Sequence, residues 1–252
     1  MNSATVRNLL VRGMLAGLAA GVLALVVAYF LGEPNVDSAI GFEEAHAHEH
    51  GHEVELVSRS LQSTAGLATG VLIYGVAFGG IAALAYCFAL GRVGRFGPRA
   101  TALLLSGTAL LAVYVVPFLK YPANPPSVGD PDTIGKRTAL YFLMMVLSVL
   151  LAVGATILGK RLAPALGTWY ATVAAVAAFA VVIGLAYAFL PVVNEVPGDF
   201  PATLLWRFRL SALAMQTVMW GGFGLVFGEL AERMLNPRPA KVPSGTSVPA
   251  AN

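Results

Sequence analysis

The four histidines of the chain lie in one stretch, at His46, His48, His50 and His52. Glu43, Glu44, Glu49, Glu53 and Glu55 surround them. A spacing of two puts all four imidazoles on one edge of an extended segment. In a helix the same residues pair as His46 with His50 and His48 with His52, one turn apart. Either geometry brings several nitrogen donors around one ion, with Glu49 and Glu53 available to complete the shell. Imidazole suits zinc, copper, nickel and cobalt, and first-row affinity follows the same order at almost any such site. The stretch therefore reads as a binder of divalent transition metals without naming one. It contains no Cys or Met, which argues against a dedicated Cu(I) site. The competing reading is a solvated polar loop.

A second set of candidates is acidic. Asp130, Asp132, Glu195 and Asp199 lie in two proline-rich segments, 120–133 and 194–201. Proline restricts the backbone, so these turns are suited to hold carboxylates at a mouth. Arg137, Arg207 and Arg209 flank them, where they would orient the acids and limit their negative field. Ordinary turn chemistry, which favours Asp and Pro, is the plain alternative.

Catalytic constellations are lacking. Cys87 is the sole cysteine, so there is neither a disulfide framework nor a CxxC site. Residues 154–161 approach a phosphate-binding loop, but Arg161 stands where Ser or Thr is needed. That stretch also closes an apolar segment instead of following a strand. The chain reads as a non-enzyme with no permanent cofactor.

The elements that must position these residues are apolar. The chain of 252 residues is 57% hydrophobic and 12% charged, with a mean hydropathy of +0.74, against about 25% charged residues in a soluble domain. A chain this apolar cannot cover a water-facing surface. Six stretches, about 10–31, 64–90, 100–119, 138–158, 168–190 and 210–228, approach the roughly 20 apolar residues that cross a bilayer. From Gly13 onward in the first, and throughout the others, they lack Asp, Glu, Lys, Arg and His. The first is read as a retained helix, because it is longer than a signal-peptide core and lacks a cleavage site of small residues.

Charge sets the expected orientation. The termini and the even-numbered loops hold 10 Lys/Arg and 2 acids, whereas the odd-numbered loops hold 6 Lys/Arg and 11 acids. The positive-inside rule then puts both termini in the cytoplasm. The expected fold is all-α, a polytopic integral membrane bundle of six transmembrane helices in three hairpins. Residues 1–235 form one transmembrane domain, 32–63 an external His/Glu-rich loop, and 236–252 a disordered cytoplasmic tail. The hairpins are echoed in a weak repeat: Phe30-Leu31, Phe118-Leu119 and Phe189-Leu190 each precede a proline within five residues. Glycines four apart, at 13, 17 and 21 and at 75 and 79, mark close helix contacts, either within the bundle or toward a second copy of the chain. The net charge of +3 fits arginines against lipid headgroups better than nucleic acid.

Arg12 to Gly17, Glu55 to Arg59 with Gln62 to Leu67, Pro117 to Gly135, and Asn194 to Arg209 are the stretches by which the chain resembles a known family, the CbtA family of predicted cobalt transporter subunits of bacterial inner membranes. The resemblance implies cobalt uptake linked to cobalamin synthesis, with cobalt as the bound or carried metal. It also implies a small single-span partner subunit, CbtB. The family is often ascribed five spans, one fewer than the charge-free stretches here. The alternative from the residues alone is a metal-binding membrane scaffold or sensor that does not transport.

Overall fold

A computed structural model describes residues 2–46, 58–126, 128–129 and 132–237. The described residues contain helices and loops but no strand. Helix α1 (Ser3–Val27) opens on Asn2, whose side chain caps the Thr5 amide, and passes through a π-turn at Ala28–Gly32 into α2 (Glu33–His46). Helix α3 (Arg59–Leu61) leads through a second π-turn, Gln62–Gly66, into α4 (Leu67–Ala89). Helix α5 (Pro98–Ala109) continues through a third, Leu110–Val115, into α6 (Val116–Lys120). Helices α7 (Ile134–Phe189) and α8 (Ala202–Leu235) complete the chain.

The π-turns have local causes. A proline inside a helix has no N–H, and its ring meets the carbonyl four residues earlier. Pro34 and Pro117 each lie one residue beyond a π-turn, where the widened turn relieves that clash. Ser148 Oγ, from α7, donates to the carbonyl of Ala112 in the third π-turn, and the Tyr187 hydroxyl donates to Val116 O. The Ser148 hydroxyl thus satisfies a carbonyl that the missing N–H of Pro117 leaves open, and the Tyr187 hydroxyl adds a second bond beside it. The second π-turn has no proline. There Thr64 Oγ1 donates to Ser60 O at 2.6 Å, competing for a helix carbonyl.

Five helices are long and apolar enough to cross a membrane: Ser3–Ala45, Arg59–Ala89, Pro98–Lys120, Ile134–Phe189 and Ala202–Leu235. The six predicted stretches differ from these five because two of them, 138–158 and 168–190, share α7. A straight helix of 56 residues would run about 84 Å, nearly three times the roughly 30 Å hydrocarbon core. Helix α7 is not straight. Gly167 breaks it at φ 75° and ψ 159°, a conformation a side chain would resist. Beyond the break the chain returns on itself: a Cβ on Gly159 would lie 3.4 Å from Ala175 Cβ, and Met144 and Ile183 share one cluster with Val116 and Tyr121.

A second difference concerns residues 32–63, expected as a loop. Its first part, Glu33–His46, is helical. Hydropathy falls at Glu33, but the helix does not stop there. The π-turn before Pro34 accommodates its missing N–H, and the side chains of Asn35 and Ser38 donate to Leu31 O and Pro34 O.

Helices α1, α4, α5 and α8 form the main bundle. Alpha-carbons of α1 and α4 meet with no side chain between them: a Cβ on Gly13 would lie 2.6 Å from Gly79 O, and one on Gly75 2.6 Å from Gly17 O. On the other side of α1, Leu9, Ala16 and Ala20 are buried with Tyr86 of α4 and Phe223 and Phe227 of α8. The Tyr86 and Phe227 rings meet edge to face, 5.0 Å between centroids. Apolar residues also dominate the outside of the bundle, Phe30, Phe88 and Leu225 among them, as lipid contact requires.

Candidate functional site

Charge is segregated to the two ends of the bundle. At the basic end Arg12 donates to Leu230 O, Lys160 to Arg92 O, and Glu229 lies between Arg99 and Arg233. The opposite, acidic end collects segments far apart in sequence. Phe42 of α2 packs edge to face on Phe200 of the segment before α8, with centroids 5.1 Å apart. Ala39 and Val128 are buried beside them. This small apolar cluster ties the end of α2 to both proline-rich segments. His46 is the last residue of α2. His48, His50, His52, Glu49 and Glu53 lie outside the described residues, as does Asp130.

Among the described acids of this end Glu195 is the most enclosed, with its side chain 2% exposed. Arg137 Nη1 donates to its Oε2 at 2.5 Å and the Thr133 hydroxyl to its Oε1 at 2.5 Å. Burial alone would push the carboxyl up. The Thr133 and Arg137 hydrogen bonds and the Arg137 charge outweigh it and hold the group below the usual carboxylate range. Glu195 is therefore ionised at neutral pH and anchored to the start of α7.

The other acidic-end residues are arranged differently. Arg209 donates to Ala123 O at 3.2 Å and to Asn124 Oδ1 at 3.0 Å, so it braces the segment after α6 instead of orienting a carboxylate. Asp132, Asp199 and Arg207 are exposed. Arg137 holds a described mouth acid, Glu195. Sequence reasoning missed a second ionic cluster: Arg59 pairs with Glu33 and, at 2.9 Å, with Asp37. Glu33 and Asp37 are four apart, one helical turn, a signal that was available once α2 was read as helix. Here a guanidinium fills the place between two carboxylates. Among the described residues no group of three or more His, Cys, Asp or Glu is placed to hold a metal ion.

The sequence profile of a family described as probable cobalt transporter subunit (CbtA) matches residues 6–232, which takes in every described helix almost to its ends. The chain belongs to the CbtA family. No curated protein and no solved structure matches the chain. As a CbtA chain it is a membrane protein of a transporter subunit family, and the residues gathered above have a transport role to be weighed against.

Proposed function

We propose that this chain is the membrane subunit of a divalent transition-metal uptake system, with cobalt as cargo. It captures the ion at the external stretch of His46, His48, Glu49, His50, His52 and Glu53 and passes it to a mouth built by residues 120–133 and 194–201. The observation that carries this reading is the Phe42–Phe200 contact. It fixes the later part of α2, which leads into the histidine stretch, against the segment before α8, and supports a release of captured metal toward the segments that carry Asp130, Asp132, Glu195 and Asp199.

The reading includes six spans, the reversal at Gly167 supplying the extra crossing, with both termini cytoplasmic in a bacterial inner membrane. The basic end then faces the cytoplasm, as the positive-inside rule requires. A small CbtB-like subunit is proposed as partner, and no nucleic acid. The exposed apolar flank of α7 faces lipid. Cobalt accumulation in cells lacking the gene, and again after its return, tests the function. Equal accumulation in both strains would leave the chain as a binder that does not transport.

A further inference from the structure

A half-open cleft of about 210 Å³ lies between α6 and the start of α7. Its two walls change character in the same direction. Along one, Tyr114 and Phe118, stacked with centroids 5.3 Å apart, give way to Tyr121 and Ala123 as the chain leaves its helix. Along the other, Arg137 and Thr138 lie in the opening turns of α7 and Tyr141 follows one turn further in. The inner part is therefore aromatic and the outer part polar. The lining holds no carboxylate, imidazole or thiol, and its one charged group is a guanidinium.

Two further cations stand beside the outer part. Lys120 Nζ lies 6.0 Å from the centre of the Tyr121 ring, and Arg209 donates to Ala123 O at 3.2 Å. Glu195 balances Arg137. Lys120 is bonded to Tyr187 O, and Arg209 to Ala123 O and Asn124 Oδ1; neither has a carboxylate partner among the described residues. Lysine has three donors and arginine five, so each keeps some for a ligand. Thr138 is exposed and adds a neutral hydroxyl. This corner of the acidic end thus offers donors and an excess of positive charge, which suits an anion.

The shape suits an amphiphile. A pocket that encloses a whole small molecule has roughly 300–1,000 Å³. This cleft is smaller and open, so it takes part of a ligand whose remainder lies outside. Leu119 and Phe142, the chain neighbours of Phe118 and Tyr141, are 66% and 53% exposed, so the apolar outer surface adjoins the aromatic part. A phospholipid meets both demands. Its phosphate takes charge-assisted hydrogen bonds from the cations, and an acyl chain lies along the rings and out over that surface.

We propose that the cleft between α6 and α7 binds one anionic phospholipid, with its phosphate among Lys120, Arg137, Thr138 and Arg209 and an acyl chain against Tyr114, Phe118 and Tyr141. A zwitterionic lipid fits less well, because its ammonium group meets the same cations. The bound lipid joins α6, α7 and, through Arg209, α8. The site is independent of what the chain carries.

The full chain in dodecyl maltoside is titrated with dioleoylphosphatidylglycerol and, separately, with dioleoylphosphatidylcholine, and bound lipid is counted by native mass spectrometry. One tightly held phosphatidylglycerol is expected. Lys120→Gln should weaken it roughly tenfold, as for the loss of one charge-assisted hydrogen bond. Ala123→Leu, which fills the cleft without changing charge, should weaken it too. Thr138→Val serves if Lys120→Gln fails to fold. Arg7→Gln removes the same charge from an exposed site on α1 and should change nothing. Equal affinity for the two lipids, or an equal loss in Arg7→Gln, would mean general attraction and overturn the proposal. Unaltered binding in Ala123→Leu would overturn it as well, by placing the lipid elsewhere. Displacement of the lipid by millimolar glycerol phosphate would make this a site for a free anion and remove the lipid assignment.

Discussion

Phe42 and Phe200 meet edge to face, 5.1 Å apart at 73°, and by doing so fix the end of α2 against the segment that precedes α8. Phe200 is 7% exposed. Truncating a buried phenylalanine costs about 3–5 kcal/mol; the small size of this cluster puts the expected loss at the low end. Phe200→Ala should therefore lower the thermal midpoint modestly and weaken cobalt uptake at low metal. Uptake at saturating metal should survive. Measured uptake curves that fall equally at all concentrations would show the contact serves the whole fold and not the capture stretch alone.

Replacing His46, His48, His50 and His52 with alanine should have the same signature, a rise in the half-saturating metal concentration with little loss of maximum rate. Metal binding needs neutral imidazole. Capture should fade as pH falls through about 6.5, the ordinary histidine range, and the alanine variant should lose that pH dependence. Complete loss of uptake at saturating metal would make the stretch part of the obligatory path.

Glu195→Gln tests the roof of the mouth. Removing one partner of a buried pair costs about 3–5 kcal/mol, discounted to about 1–3 here because Arg137 is 31% exposed. The folded carboxyl lies below its ordinary value, so its stabilisation is complete above about pH 4.3 and disappears as pH falls through the lowered value. The difference in thermal midpoint between wild type and Glu195→Gln should be constant at neutral pH and close only in stronger acid. Competition of cobalt uptake by nickel or zinc should change in this variant and in Asp132→Asn. Unchanged competition in the double variant would remove these acids from selection.

The glycine seam makes a sharper structural prediction. A Cβ at Gly75 would lie 2.6 Å from Gly17 O, whereas nothing lies within 4 Å of one at Gly70. Gly75→Ala should destabilise by about 1–3 kcal/mol, the usual cost of overpacking, and lower membrane levels. Gly70→Ala, on the same helix, should be neutral or slightly stabilising. Thermal melts of both in one detergent decide the matter.

Topology can be read from one position. With Cys87 replaced, Leu166→Cys should react with a membrane-impermeant maleimide from the cytoplasmic side. A reporter after Asn252 should lie on that side too, and one near Gly51 on the other. Protection of residue 166 from both sides would mean that α7 crosses without reversing.

The sequence by itself determined the class of protein. Six long apolar stretches, free of charge from Gly13 onward in the first and throughout the others, leave lipid as the only solvent for the helices, because charge inside the hydrocarbon is expensive. The histidines were equally plain, since their alternation is a local pattern. Helix ends were less legible. Hydropathy reports where lipid stops, and the backbone of α2 and α8 continues beyond that point.

Tertiary structure alone decided how the ends come together. Whether Glu195 is a free turn acid or a buried partner of Arg137 depends on where residues 58 positions apart meet. That Arg209 turns to Ala123 and Asn124, and Arg59 to Glu33 and Asp37, is likewise a matter of long-range packing. The phenols of Tyr114 and Tyr141 carry no periodic or spacing signal. They share a cavity because a π-turn before Pro117 and the start of α7 are packed side by side, and such contacts between distant segments are set by the three-dimensional fit of whole helices, which no local pattern encodes.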